Sequence, residues 1–216
     1  MASQRKERKE VHHPLFARWY RRIGVAADRA GAAAHRERLV AGLHGRVVEV
    51  GAGSGLNFRH YPIGVTEVVA VEPEPYMRTS AAEAARSASV RVQVVDGTAD
   101  ALPLADASVD AGVVSLVLCS VPNQTRALAE LWRVIRAGGE LRFYEHVAAE
   151  TPARARLQRR LDPIWTRCSG GCHLTRCTAE AIEAAGFTIE HCERFDFQPC
   201  ILGAPAAPHI LGVARR

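Results

Sequence analysis

Gly51, Gly53 and Gly55 stand at alternate positions in the stretch Arg46 to Glu72, RVVEVGAGSGLNFRHYPIGVTEVVAVE. Glycine lets the backbone turn sharply and lets a ligand approach with no Cβ in the way. Glu72 ends a second apolar run (Val68, Val69, Ala70, Val71), where a carboxylate suits the two hydroxyls of a ribose. Together these residues describe a site for a nucleoside-containing cofactor. The side chains able to take a proton or meet a second substrate lie elsewhere: His146 beside Glu145, Cys119, His173 and Arg176, with His13 a weaker candidate. His146 has the ordinary pKa of a base working near neutrality; the plainer alternative is a structural histidine with Glu145 as its partner. Cys168, Cys172, His173 and Cys177 invite a zinc reading, but their spacing lacks the CxxC pair of structural sites, so no metal is expected.

Those residues need elements to position them. Val47, Val48 and Val50 form an unbroken apolar run, as parallel strands buried on both faces do. After Glu72, Pro73-Glu74-Pro75 opens a helix to about Ser87, since proline is tolerated in a first turn. A third strand is read over Val90 to Val95, a loop over Asp96 to Leu104, and a fourth strand over Ala111 to Leu118. Leu128, Leu131, Trp132 and Ile135 make one face of a helix from Asn123 to Arg136, with Gly138 suited to its C′ position. A fifth strand spans Glu140 to Tyr144, residues 150 to 176 are helical and irregular, and Thr178 caps a short helix ending at Gly186. Phe187 to Phe195 and His209 to Ala214 read as two last strands, a hairpin-like pair at the sheet edge.

Strands alternating with helices imply an α/β fold: seven strands in an open, mostly parallel sheet with helices on both faces and an antiparallel strand near the C-terminus. Ligands on such sheets bind at the carboxyl ends of the strands. The topology therefore gathers Gly51 to Gly55, Glu72, Gly97 to Ala99, Ser115 to Cys119 and Glu145-His146 around one crevice. Before the first strand, residues 1 to 44 supply a basic tail, expected to be disordered over its first ten residues, and two helices. The first carries Leu15, Phe16, Trp19 and Ile23 at helical spacing; it packs at the domain edge or forms a lid with Tyr20 facing the pocket. The second is alanine-rich, from about Ala26 to Leu43. Residues 45 to 216 form the cofactor-binding domain.

The 216 residues suit one such domain. Part of the net charge of +5 is local, with Arg5, Lys6, Arg8 and Lys9 in MASQRKERKE, and no Lys/Arg stripe interleaved with aromatics follows, so nucleic acid is not an expected partner. No stretch approaches ~18 consecutive apolar residues, and charges interrupt Leu15 to Val25, so neither a membrane span nor a signal core is expected. Six scattered cysteines fit reduced thiols. The expectation is a soluble, cytoplasmic protein; its oligomeric state is not legible.

Gly51-x-Gly53-x-Gly55 alone is a weak signal, and Leu56 stands where the dinucleotide fingerprint wants a small residue. The wider pattern resembles the S-adenosylmethionine-dependent methyltransferases of the Rossmann-like class: Glu49, Gly51, Gly53 and Gly55 as ExGxGxG, Glu72-Pro73 after the second strand, GTADALPL before DASVD, and LWRVIRAGGEL. A narrower set, LVLCSVPNQ (116–124), FYEHVAAE (143–150), LDPIW (161–165), GCHLTR (171–176) and PHILGVA (208–214), is similar to the methyltransferase-like thiol S-methyltransferases of animals and their bacterial relatives. The resemblance covers about residues 45 to 214. Animal members carry an apolar N-terminal anchor; the charged start here argues against carrying over membrane attachment.

The resemblance implies S-adenosyl-L-methionine as methyl donor and S-adenosyl-L-homocysteine as product. It implies that the glycine turn meets the methionyl and ribose parts, that Glu72 holds the ribose hydroxyls, and that Pro73 and Met77 line the adenine. Thr98 and the backbone of Ala99 then meet the adenine edge, with Leu116 on its other face and Gly97 and Ser115 also at the cofactor; many relatives have an acidic residue at the Thr98 position, and Asp100 is a substitute. Glu49 orients the turn or touches the ligand. The acceptor is a small-molecule thiol, with Cys119 as a small apolar wall, and His173 and Arg176 beside it. Alternatives are an O- or N-methyltransferase of a small metabolite or lipid headgroup, a nicotinamide-dependent oxidoreductase, which Leu56 and the GTADALPL loop oppose, and a non-catalytic cofactor-binding module.

Overall fold

The computed structural model describes residues 14–216, with side chains described throughout except at 14–16 and 201–202. The expectations for the basic tail, for His13 and for the Leu15 and Phe16 side chains lie outside the described residues.

Seven strands form one sheet in the order β3-β2-β1-β4-β5-β7-β6. In chain order they are β1 (Gly45–Val50), β2 (Val65–Val71), β3 (Val92–Val95), β4 (Val109–Ser115), β5 (Ile135–His146), β6 (Thr188–Asp196) and β7 (Pro208–Arg215). β1 pairs in parallel with β2 and β4, β2 with β3, and β4 with β5. β7 runs antiparallel between β5 and β6. The order reverses at β1, so the crevice opens between the carboxyl ends of β1 and β4.

The apolar runs are buried on both faces because neighbours on a strand point to opposite sides. Val48, Val50, Val69 and Val71 pack with Leu128, Leu131, Phe143 and Ile210 in one core layer. Val47, Val68 and Ala70 pack with Leu39, Phe58, Ala81 and Tyr144 in the other. Among the described residues six α-helices flank the sheet: α1 (Pro14–Ala27), α2 (Ala33–Val40), α3 (Pro75–Ala85), α4 (Gln124–Val134), α5 (Pro152–Cys168) and α6 (Thr178–Ala184).

Several boundaries differ from the sequence reading. The alanine-rich helix is broken at Gly31, whose φ of 121° no helix accommodates, so α2 begins at Ala33. α4 stops at Val134, and β5 begins at Ile135, because Ile135 takes an extended ψ of 134°; Gly138 instead bonds through its N–H to the Arg216 carbonyl at 3.0 Å. β4 ends at Ser115, where Leu116 turns the chain with a φ of 59°. Thr178 is the first residue of α6 rather than its cap; its hydroxyl accepts from Gln124 Nε2 at 3.2 Å. The last two strands are paired, but β7 lies inside the sheet and only β6 is the edge. Among the described residues, no helix is long and apolar enough to cross a membrane.

Candidate active site

The glycine turn follows β1 directly. The N–H groups of Gly51 and Ala52 both bond to the Val71 carbonyl, at 2.8 and 3.2 Å, drawing the turn against the end of β2. The three glycines meet different needs. A Cβ on Gly51 would lie 2.6 Å from Val117 Cγ2, and one on Gly55 would lie 2.6 Å from Phe58 Cε2, so packing alone excludes a side chain there. A Cβ on Gly53 would reach only Met77 Cε, at 4.0 Å. With its φ of 57°, Gly53 presents bare backbone to the crevice.

Glu72 is buried at the end of β2. One carboxylate oxygen accepts from Gly53 N at 2.8 Å and the other from Glu74 N at 2.9 Å. Burial pushes its carboxyl pKa up, and these two N–H groups oppose the rise. Each oxygen keeps accepting capacity for a further donor, which matches two vicinal ribose hydroxyls. Glu74 caps α3 through Met77 N at 2.8 Å, setting Pro73 and Met77 beside the carboxylate. Arg78 donates to the carbonyls of Glu72 and Pro73 and to Asp96, tying β2 to the loop after β3. In that loop Gly97 lies against Val71, where a Cβ would come within 2.8 Å, and Ala101 N bonds to the Thr98 carbonyl at 3.1 Å, folding Thr98 and Ala99 into a tight turn. Leu116, held by its N–H to the Tyr144 carbonyl at 2.7 Å, follows Ser115 in a left-handed conformation. Such backbone strain in a β-strand's exit turn gathers at sites that hold ligands.

Glu49 does not touch the turn itself. Its carboxylate accepts from Asn57 Nδ2 at 2.9 Å and from Tyr61 Oη at 2.7 Å, both just beyond the turn. Burial pushes its pKa up to about 7, against the pull of those two bonds and of Arg36. Arg36 gave no sequence signal. It is buried, and its guanidinium donates to Asp28 at 2.9 Å, Asn57 at 3.0 Å and Ser115 Oγ at 3.1 Å. It thereby fastens α2 to the turn and to the end of β4.

At the far end of the crevice Glu145 and His146 part company, because adjacent residues of β5 face opposite sides. Glu145 is not the partner of His146. Its carboxylate is fully buried and accepts the N–H groups of Val117, Leu118 and Cys119 at 2.8, 3.0 and 3.1 Å. It is a positioning residue for the loop after β4. Burial and the neighbouring Cys119 push its pKa up, and the three N–H groups oppose them. His146 faces two sulfurs instead: Nε2 lies 3.8 Å from Cys119 Sγ and 3.4 Å from Cys172 Sγ. Burial alone would raise the Cys119 thiol, but its bonds to Cys172 and to His146 outweigh that and hold its pKa well below the usual thiol range. Burial likewise works against the charged form of His146, and Cys119 more than offsets it, so that its pKa is raised. The bond to Cys119, with burial, pushes Cys172 up. His209, edge-on to His146 at 5.5 Å, is pushed down to about 4 by burial and stays neutral.

Tyr20 comes from α1. Burial and the nearby Cys119 push its phenol pKa up, with Cys172 and Glu145 adding to the effect; over a third of its surface is nonetheless accessible. Its phenol is thus near the Cys119 cluster while partly accessible. His173 turns away toward α5, its Nδ1 3.1 Å from Asp162 Oδ2. Arg176 spends its guanidinium on the loop after β4, donating to the Leu118 carbonyl and, at 2.6 Å, to the Val121 carbonyl. Cys168 and Cys177 are exposed and stand outside the sulfur–imidazole cluster.

A parallel sheet reversing at β1, a glycine turn bare toward the crevice and a buried carboxylate ending β2 define an S-adenosylmethionine-dependent methyltransferase of the Rossmann-like class. Residues 48–143 match the model of the methyltransferase domain family. The chain belongs to the family of the thiol S-methyltransferases within that class. It is 40% identical over 174 residues to rat thiol S-methyltransferase TMT1B, covering 78% of this chain and 69% of that one. To human thiol S-methyltransferase TMT1A it is 39% identical over 176 residues, with 78% and 69% covered. Among solved structures, a Thermotoga maritima methyltransferase described as a possible histamine N-methyltransferase superposes with a TM-score of 0.70 at 22% identity, over 94% of this chain and 96% of that one. Geranyl diphosphate methyltransferase in complex with S-adenosylmethionine gives 0.67 at 13% identity, over 87% and 85%. These two likenesses concern the fold alone.

Proposed function

We propose that this methyltransferase methylates the thiol of a small molecule. The observation that carries the reading is the identity of about two residues in five with thiol S-methyltransferases over most of the chain. The Cys119, His146 and Cys172 cluster beside the crevice adds to it, since all three lie in segments that resemble that family.

Gly53, Glu72, Met77, Thr98, Ala99 and Leu116 would hold S-adenosylmethionine. When bound, it supplies an electrophilic methyl on a sulfonium, open to in-line displacement. The chain's own work is then to position. Glu145 and Arg176 hold the loop after β4 from two sides, and Arg36 holds the end of β4 against α2; alignment of this kind is worth about 7–11 kcal/mol in well-oriented reactions. Tyr20 covers the crevice from α1. A thiol needs little help to react, because with a pKa near 8.5 about a few per cent is thiolate at neutrality. His146 is the residue placed to favour that thiolate.

Full-length protein incubated with methyl-labelled S-adenosylmethionine and a panel of thiols, phenols and amines tests the reading. Methylated thioether products are expected. Transfer only to phenols or amines overturns the thiol assignment in favour of an O- or N-methyltransferase.

A further inference from the structure

Cys119, His146 and Cys172 are distant in sequence, and only Cys172 belongs to the Cys168–Cys177 pattern that suggests zinc on inspection of the chain. Their ligand atoms all lie within 4.8 Å of one another. We propose that these three side chains bind one zinc ion and leave a fourth coordination position for the thiolate of the acceptor, the latter clause resting on the function proposed above.

The spacing comes close to that of a tetrahedral centre, with Cys172 Sγ also 3.6 Å from His146 Nδ1. With Zn–S near 2.3 Å and Zn–N near 2.0–2.1 Å, tetrahedral angles place sulfur and nitrogen about 3.6 Å apart. His146 Nε2 lies 3.8 Å from Cys119 Sγ and 3.4 Å from Cys172 Sγ. Both cysteines are buried, while His146 is half-buried. Two cysteines and one histidine with a fourth position open to substrate is a ligand set that catalytic zinc uses.

The surroundings hold the donors in place. Glu145 takes the N–H of Cys119 and of the two residues before it. The Cys119 carbonyl accepts His173 N at 2.8 Å, which ties the two cysteine-bearing segments directly together. Trp165 Nε1 donates to Cys172 Sγ at 3.3 Å, an outer bond of the kind that orients metal ligands. Thiolate and imidazole select zinc over harder cations. In this arrangement His146 gives its lone pair to the metal. An acceptor R–SH binds by forming a metal–sulfur bond and releasing its proton to water, which supplies thiolate without a protein base.

Cobalt(II) titrated into reduced, metal-stripped, full-length protein tests the site. One equivalent is expected, with the visible absorption of a tetrahedral ion bearing thiolates, and added 2-mercaptoethanol is expected to intensify the sulfur-to-metal band. C119S, C172S and H146A each abolish the tetrahedral spectrum; the C168S/C177S double variant keeps it. Retention of the spectrum in C172S or H146A, or only the weak absorption of an octahedral ion in the unaltered protein, overturns the proposal; a band unmoved by the thiol overturns its acceptor clause.

Because the variants can fail to fold, alkylation of the unaltered protein gives an independent reading. Zinc should slow iodoacetamide modification of Cys119 and Cys172 and leave Cys168, Cys177, Cys192 and Cys200 unchanged. Equal rates with and without zinc overturn the site. Undiminished methyl transfer to thiols by metal-stripped protein would remove zinc from the reaction and leave the thiol assignment standing; tight zinc binding without any thiol methylated would do the reverse.

Discussion

Arg36 Nη1 donates to Ser115 Oγ at 3.1 Å across 79 residues of chain. The same guanidinium is paired with Asp28 and bonded to Asn57, so one buried side chain joins α2, the segment after the glycine turn and the end of β4. Arg36→Met removes the charge and leaves Asp28 buried, with the exposed Arg59 as its remaining partner among the described residues. Removing one partner of a buried pair costs about 3–5 kcal/mol. Urea unfolding should show a loss of this size, together with weaker S-adenosylhomocysteine binding by calorimetry.

The glycine turn predicts a split between two similar substitutions. Alanine at Gly53 meets no close neighbour and costs about 1–2 kcal/mol for the left-handed backbone, yet puts a methyl into the crevice. Alanine at Gly51 collides with Val117. Calorimetry and thermal melts should therefore find G53A folded with cofactor affinity sharply reduced, and G51A primarily destabilised.

Glu72→Ala withdraws the acceptor for the ribose hydroxyls and orphans the N–H groups of Gly53 and Glu74. Hydrogen bonds to a charged group are worth about 1.5–3 kcal/mol each; losing two lowers S-adenosylmethionine affinity by at least about 100-fold. Unchanged affinity in a folded variant would refute the ribose assignment.

Glu145→Gln leaves one accepting oxygen for three N–H groups. The loop from Val117 to Cys119 then shifts, and misplacement near a reacting centre costs on the order of 100-fold. Steady-state kinetics should show the loss in kcat, with cofactor affinity nearly unaltered because Glu72 and Gly53 are untouched.

Glu49 sets a pH dependence of stability. Burial raises its carboxyl from 4.5 to about 7 in the folded state. A folded pKa above the unfolded one gives stability that is complete below about pH 4.5 and is lost as the pH rises through about 7. At about 1.4 kcal/mol per pKa unit this is of order 3 kcal/mol. Urea midpoints measured from pH 4.5 to 8 should fall for the unaltered protein relative to Glu49→Gln, whose side chain does not titrate.

The sheet, its helices and the cofactor end of the crevice were legible in the chain because their causes are local. Apolar runs buried on both faces announce parallel strands, glycines announce the turn, and Glu72 is placed by the strand it ends. Boundaries failed where a single backbone angle decided them, as at Gly31, Ile135 and Leu116. Arg36 was invisible, since its partners lie 8, 21 and 79 residues away and no local period relates them. The sulfur–imidazole cluster was illegible for the same reason. Cys172 stands in a pattern with its sequence neighbours, but α5 leaves Cys168 exposed and α6 begins beyond the exposed Cys177. Only the parallel pairing of β4 with β5 brings Cys119 beside His146, and only the bond from His173 N to the Cys119 carbonyl swings Cys172 onto both. Strand alternation then sends Glu145 to the loop and His146 to the sulfurs. The chain's local patterns thus determine a site for the methyl donor, while the groups proposed to meet the acceptor come together only by packing distant segments at the carboxyl ends of the interior strands β4 and β5.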